Sequence, residues 1–94
     1  MNVDWHEREI YMWARHGVSA AEADEAVSDE LAIWFDPDPR SRSGEGIRVI
    51  GFCLSRAQVL TVILVRKEAP HEFWGVNGWQ ANGRDLRTYR EMAP

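Results

Sequence analysis

The pattern of apolar and polar positions changes period once along the chain, from helical to alternating, and changes back near the end. From about Trp5 to Arg15 the apolar residues recur at helical spacing, with Ile10, Trp13 and Ala14 as the expected inward face. Gly17 stops that segment, since glycine takes the left-handed conformation that commonly ends a helix. Ahead of it two readings stand open: Val3 and Trp5 alternate as a short strand would, and Asp4 followed three residues later by Glu7 would also cap a helix. Ser19-Ala20-Ala21-Glu22 is a capping box, in which the serine hydroxyl accepts from the glutamate amide and the carboxylate reaches back. The second helix is expected to run to about Ser28, with Ala23, Ala26 and Val27 on its apolar side. Joined through Gly17-Val18, the two form a predicted N-terminal helical hairpin.

Strand-like runs follow. Leu31 to Phe35 ends at Asp36-Pro37-Asp38-Pro39, where each proline lacks an amide donor and pushes its predecessor to extended backbone. A basic, polar and flexible loop is expected through Gly46. Ile47 to Leu54 and Val59 to Arg66, rich in β-branched residues, read as a hairpin across Ser55 to Gln58. Pro70 interrupts, Phe73 to Trp79 reads as a further strand weakened by Gly75 and Gly78, and a last helix starts at Asn82 or Gly83 and reaches about Glu91. The expected fold is α+β, one domain over 1–94. It has helices on one face of a small, mostly antiparallel sheet of three to five strands, and a C-terminal helix.

Composition adds charge asymmetry. Residues 1–30 hold eight acids against Arg8 and Arg15, whereas the remainder holds nine bases against seven acids, within a formal net charge of −4. One end should repel a polyanion and the other could meet one, although the total sign disfavours strong non-specific nucleic-acid binding. Five tryptophans in 94 residues suggest that packed indoles supply much of the core. Cys53, the single cysteine, sits among Gly51, Phe52 and Leu54 and reads as a small buried hydrophobe in a reducing compartment. Met1 to Glu9 lacks the regions of a signal peptide, and the run from Val59 to Val65 is too short to span a bilayer. A cytoplasmic protein is the expectation.

Several motifs occur in a fixed order. They are Trp5, Arg15-His16-Gly17-Val18-Ser19, Glu22-Ala23, Asp36-Pro37-Asp38, Gly44-Glu45, Arg48-Val49-Ile50-Gly51, Ala81, Arg84, Arg87 and Tyr89. Together they resemble the BrnT family of bacterial toxin–antitoxin ribonucleases, and the likeness covers nearly the whole chain. The resemblance implies a RelE/ParE-like fold and an RNA-cleaving toxin neutralised by a small DNA-binding antitoxin, with a homodimer or a toxin–antitoxin hetero-oligomer as its assembly. It also implies that basic and polar side chains on the sheet and last helix hold the RNA backbone while the ribose 2′-hydroxyl attacks the adjacent phosphate, with no metal or other cofactor. Carried over position by position, the implied catalytic residues are Arg15, His16, Arg48 and Arg84, with Arg87 and Tyr89 on the last helix binding RNA; Trp79 joins them as an RNA contact only through its own aromatic ring. One departure stands out: where the family has an arginine at the end of the last strand, this chain has Trp79, within Asn77-Gly78-Trp79-Gln80-Ala81. Loss of a guanidinium there would remove a donor worth on the order of 10²-fold in rate.

Each candidate also has a plainer structural role. His16 ends the first helix and could cap its last carbonyls as readily as it could move a proton. Arg84, Arg87 and Arg90 fan over one side of the last helix, opposite Leu86 and Tyr89, either as a phosphate ridge or as an ordinary solvated face. Arg48 is the one base in its strand, and a solvent-facing arginine there is unremarkable; Arg40 and Arg42 would extend a basic patch if their loop folded back across the sheet. Trp74 and Trp79, five apart, should point to opposite faces of a regular strand. Trp79 could pack in the core, stack on an RNA base or anchor a partner protein. His6, His16 and His71 have no ligand-like spacing with one another or with Cys53, and no glycine-rich phosphate loop is present. A non-catalytic relative acting as a protein-interaction module is the alternative to the toxin, supported by the missing arginine and an isoelectric point of about 5.3. A DNA-binding regulator is disfavoured because the first two helices are acidic.

Overall fold

The computed structural model describes residues 1–92, so the last two positions of the expected domain lie outside the described residues. The chain opens on a strand, β1 (Asn2–Asp4), and not on the helical hairpin. Asp4 therefore caps nothing, and the first helix, α1 (Arg8–His16), begins after Glu7, whose side chain makes no cap bond. Gly17 ends α1 at φ 66°, with its amide bonded to the Trp13 carbonyl. Both halves of the Ser19–Glu22 capping box form at the start of α2 (Ala20–Val27). Four strands follow, β2 (Ile33–Phe35), β3 (Gly46–Cys53), β4 (Gln58–Arg66) and β5 (Glu72–Gln80), before α3 (Gly83–Met92).

The strands form one sheet in the order β1-β5-β4-β3-β2. All neighbours are antiparallel except β1 and β5, which pair in parallel with Val3 opposite Phe73. The fold is α+β. The helices do not share one face, however. α1 and α2 cover the side carrying Ile47, Val49, Leu60, Val62 and Leu64, whereas Asp85 of α3 bonds Arg48 and Thr61 on the other side. Alternation along β3 and β4 puts these two sets on opposite faces. Nor do α1 and α2 rest chiefly on each other: α1 packs on β5, and α2 on β3 and β4.

Two glycines set the close approach on the core side. A Cβ at Gly51 would lie 1.9 Å from the Ala26 carbonyl oxygen, so only glycine lets α2 sit this near β3. A Cβ at Gly75 would fall within the Trp5 indole, which occupies that space and donates from Nε1 to Asp24 at 2.9 Å. Trp5 is the one indole in the core; Trp13, Trp34 and Trp74 are exposed, contrary to the expectation of a tryptophan-rich interior. The inward face of α1 also differs from the one expected. Ile10 and Trp13 are 75% and 60% exposed, and Met12 is fully buried, with its Sδ over Gly78, where the missing side chain leaves a slot.

β5 carries an irregularity. Asn77 pairs with Ile63 and Gly75 with Leu64, so Val76 is an extra residue in the strand. The bulge resets the alternation and brings Trp74 and Trp79 to the same face, where a regular strand would have separated them. The loop between β2 and β3 is pinned as well: the Ser41 hydroxyl accepts from the amides of Gly44 and Gly46, and the Asp38 amide bonds the Gly46 carbonyl. The flexible segment expected there is a hydrogen-bonded one.

Candidate functional site

β1 pairs with β5 only over Glu72 to Trp74, so the second half of β5 is not covered by it. α1 lies beside that stretch, tied by Arg8 Nε donating to the Val76 carbonyl at 2.9 Å. Its last turn brings Arg15 and His16 to an open depression of about 650 Å³ shared with Tyr11, Asn77, Trp79, Gln80 and Asn82. The His16 and Trp79 rings are 5.7 Å apart, tilted by 49°. His16 therefore turns towards Trp79, while the carbonyl of Gly17 receives Arg56 Nη1 at 2.8 Å. Capping, one of the two roles open to His16 in the sequence, is supplied by the Gly17 amide on the Trp13 carbonyl.

Trp79 and Asn82 also border a second, smaller hollow, with Arg40, Arg48, Arg84 and Asp85. The β2–β3 loop thus does fold back far enough to bring Arg40 to the sheet. Five of the seven residues singled out in the sequence, Arg15, His16, Trp79, Arg48 and Arg84, line one stretch of surface running through Trp79. The other two lie apart. Arg87 is exposed on α3 and borders neither hollow. Tyr89 is buried, and its hydroxyl donates to Asp29 Oδ2 at 2.6 Å, an oxygen that also takes the Phe52 amide.

The arginines are not equivalent. Arg48, expected on a solvent-facing strand position, is 8% exposed. Its Nε donates to Asp38 at 2.9 Å and its Nη1 to Asp85, which also accepts from the Thr61 hydroxyl at 2.8 Å. Burial works against its charge, but the bonds and charges of Asp38 and Asp85 outweigh that and raise its pKa. Two carboxylates against one guanidinium leave this cluster with one negative charge in excess, a poor seat for a phosphate. In contrast, among the described residues no carboxylate is within ion-pair distance of Arg15, Arg40 or Arg84. No acid lines the larger depression.

Arg48 was visible as a candidate but not its partners: Asp38 and Asp85 lie in other segments, and nothing in their spacing links them to it. Tyr11, Gln80 and Asn82 also escaped notice as lining residues, because helix end, strand end and loop meet there only in three dimensions. Among the described residues, no group of three or more His, Cys, Asp or Glu side chains assembles, and no helix is long and apolar enough to cross a membrane. The chain matches no family model and no curated protein.

Proposed function

We propose that the chain is a BrnT-like toxin of a type II toxin–antitoxin pair: a metal-independent endoribonuclease of the bacterial cytoplasm, held inactive by a small DNA-binding antitoxin. What carries the reading is the meeting of Arg15, His16, Trp79 and Arg84, from separate segments, on one open surface that lacks carboxylates on its larger side. In this reading α1 and α2 are the helical hairpin of a RelE-like fold, with β1 added at the sheet edge. RNA lies along the groove with phosphates against Arg15, Arg40 and Arg84. His16 takes the proton from a ribose 2′-hydroxyl as its oxygen attacks phosphorus. The bond to the 5′-oxygen breaks, a 2′,3′-cyclic phosphate forms, and the leaving oxygen takes a proton from water. Arg15 and Arg84 offset the charge that builds on the phosphorane oxygens. Arg48 supports the site from beneath, with its charge already matched.

The test is cleavage of single-stranded RNA by the purified protein in EDTA, with cyclic-phosphate ends as the product. His16→Ala should lower the rate by about 10²- to 10⁴-fold, and Arg15→Ala and Arg84→Ala by smaller factors. Absence of cleavage, or equal cleavage by wild type and His16→Ala, removes the catalytic assignment.

A second reading has its own support: the double neutralisation of Arg48, and Trp79 in place of the family's arginine, fit a non-catalytic relative that acts as a protein-interaction module. Expression in a bacterial host separates the two. Growth arrest that His16→Ala abolishes favours the toxin, and indifference favours the module.

A further inference from the structure

Trp79 is the one aromatic ring bordering both hollows. It projects from the face of β5 that pairs it with Thr61 and is partly exposed. Arg48 lies on the sheet side of its indole, with Cζ 5.8 Å from the ring centroid, and His16 flanks it in the depression. Arg48 is fixed in turn by the β2–β3 loop through Asp38 and by α3 through Asp85. An aromatic surface fixed in advance loses little freedom when something stacks on it.

The surroundings narrow what that something is. The amides of Asn77, Gln80 and Asn82 line the same depression as the indole. Asn77 Oδ1 accepts from the Gly78 amide at 2.9 Å, which orients the side chain and leaves its NH₂ group outside that bond. Exposed arginines stand on both sides, Arg15 on one and Arg40 and Arg84 on the other. A flat heteroaromatic ring with hydrogen-bonding edges, carried on an anionic backbone, matches all three features. Bases inside an RNA duplex do not, since their faces are already stacked.

We propose that Trp79 is a stacking platform for an unpaired nucleobase, so that the groove selects single-stranded over double-stranded RNA. This rests on the reading above for the identity of the polymer and does not require cleavage. The competing occupant is a partner protein inserting a side chain beside Trp79.

The probe is a fluorescein-labelled 2′-O-methyl oligouridylate, which has no free 2′-hydroxyl and cannot be cleaved by this chemistry, titrated with the full chain by anisotropy. Two variants that keep apolar bulk guard the fold, one with a π-face and one without. Trp79→Leu should weaken binding about 10-fold, the loss of one base stack, while Trp79→Phe stays within about 3-fold. A duplex of equal length should compete poorly. No binding, equal binding by wild type and Trp79→Leu, or equal binding of duplex and single strand overturns the platform, and the last two outcomes leave the nuclease standing. Trp79-dependent binding without cleavage of unmodified RNA keeps the platform and retires the nuclease.

Discussion

The two faces of the sheet are closed by different physics. On the α1–α2 side the contact is dry: Met12, Val18, Ala23, Ala26, Val49, Leu60 and Val62 are fully buried and pack by shape against one another. On the α3 side, where Ile50 is also fully buried, three carboxylates make the polar connections. Asp85 ties α3 to Arg48 and Thr61, Asp38 ties the loop to Arg48, and Asp29 ties Tyr89 to the backbone of β3. The apolar contacts themselves carry no titrating group, and they leave no room for a side chain at Gly51 or Gly75. A layer built on a few charged bonds is intolerant of losing one partner and responds to titration. The candidate groove opens beside the second layer, where fixed geometry matters most.

That contrast predicts a graded set of outcomes. Arg48→Ala leaves Asp38 and Asp85 unpaired and should cost about 3–5 kcal/mol in urea unfolding, as much as a core truncation such as Met12→Ala. A smaller loss would mean that the carboxylates find water and that the α3 side is looser than described. Tyr89 gives the pH arm. Burial first, then the bond to Asp29 and its charge, push the phenol up to about 12. A folded pKa above the unfolded value of about 10 means this stabilisation is complete below pH ~10 and lost as pH rises towards about 12, about 3 kcal/mol at most. Tyr89→Phe should abolish that alkaline loss. The same fall in both proteins would trace it elsewhere.

Ser19→Ala removes the hydroxyl cap of α2 on the dry side and should cost about 1 kcal/mol in urea unfolding at neutral pH. Smallest of all, Arg15→Ala and Arg84→Ala should move stability by less than about 0.5 kcal/mol. Each should nonetheless lower the slope of log K against log salt for single-stranded RNA by about 0.7, if each meets one phosphate. Unchanged slopes would confine these arginines to the solvated surface.

What could be read from the sequence follows the same division. Local chemistry was legible: the Ser19–Glu22 box, the Gly17 stop and the two β-branched strands are each decided by neighbours in the chain. The face of α1 was not, because Ile10, Tyr11, Trp13 and Ala14 surround most of a short helix and Gly78, far along the chain, decides which side goes in. Arg15, His16, Trp79 and Arg84 could be singled out, but the bulge at Val76 that sets the direction of Trp79 leaves no clear mark in Phe73 to Trp79. Nor does any pattern reveal that α3 crosses to the other face, which turns a seemingly solvent-facing Arg48 into a buried strut.

The pairing of β1 with β5 also orders events in time. On the ribosome the first strand is made long before its partner, and Trp5, whose Asp24 acceptor is made early, lacks the β5 surface at Gly75 until that strand has emerged. Closing that edge joins residues about seventy apart in the chain, a non-local contact of the kind that slows folding. Until then one face of the Trp5 indole has no strand to cover it.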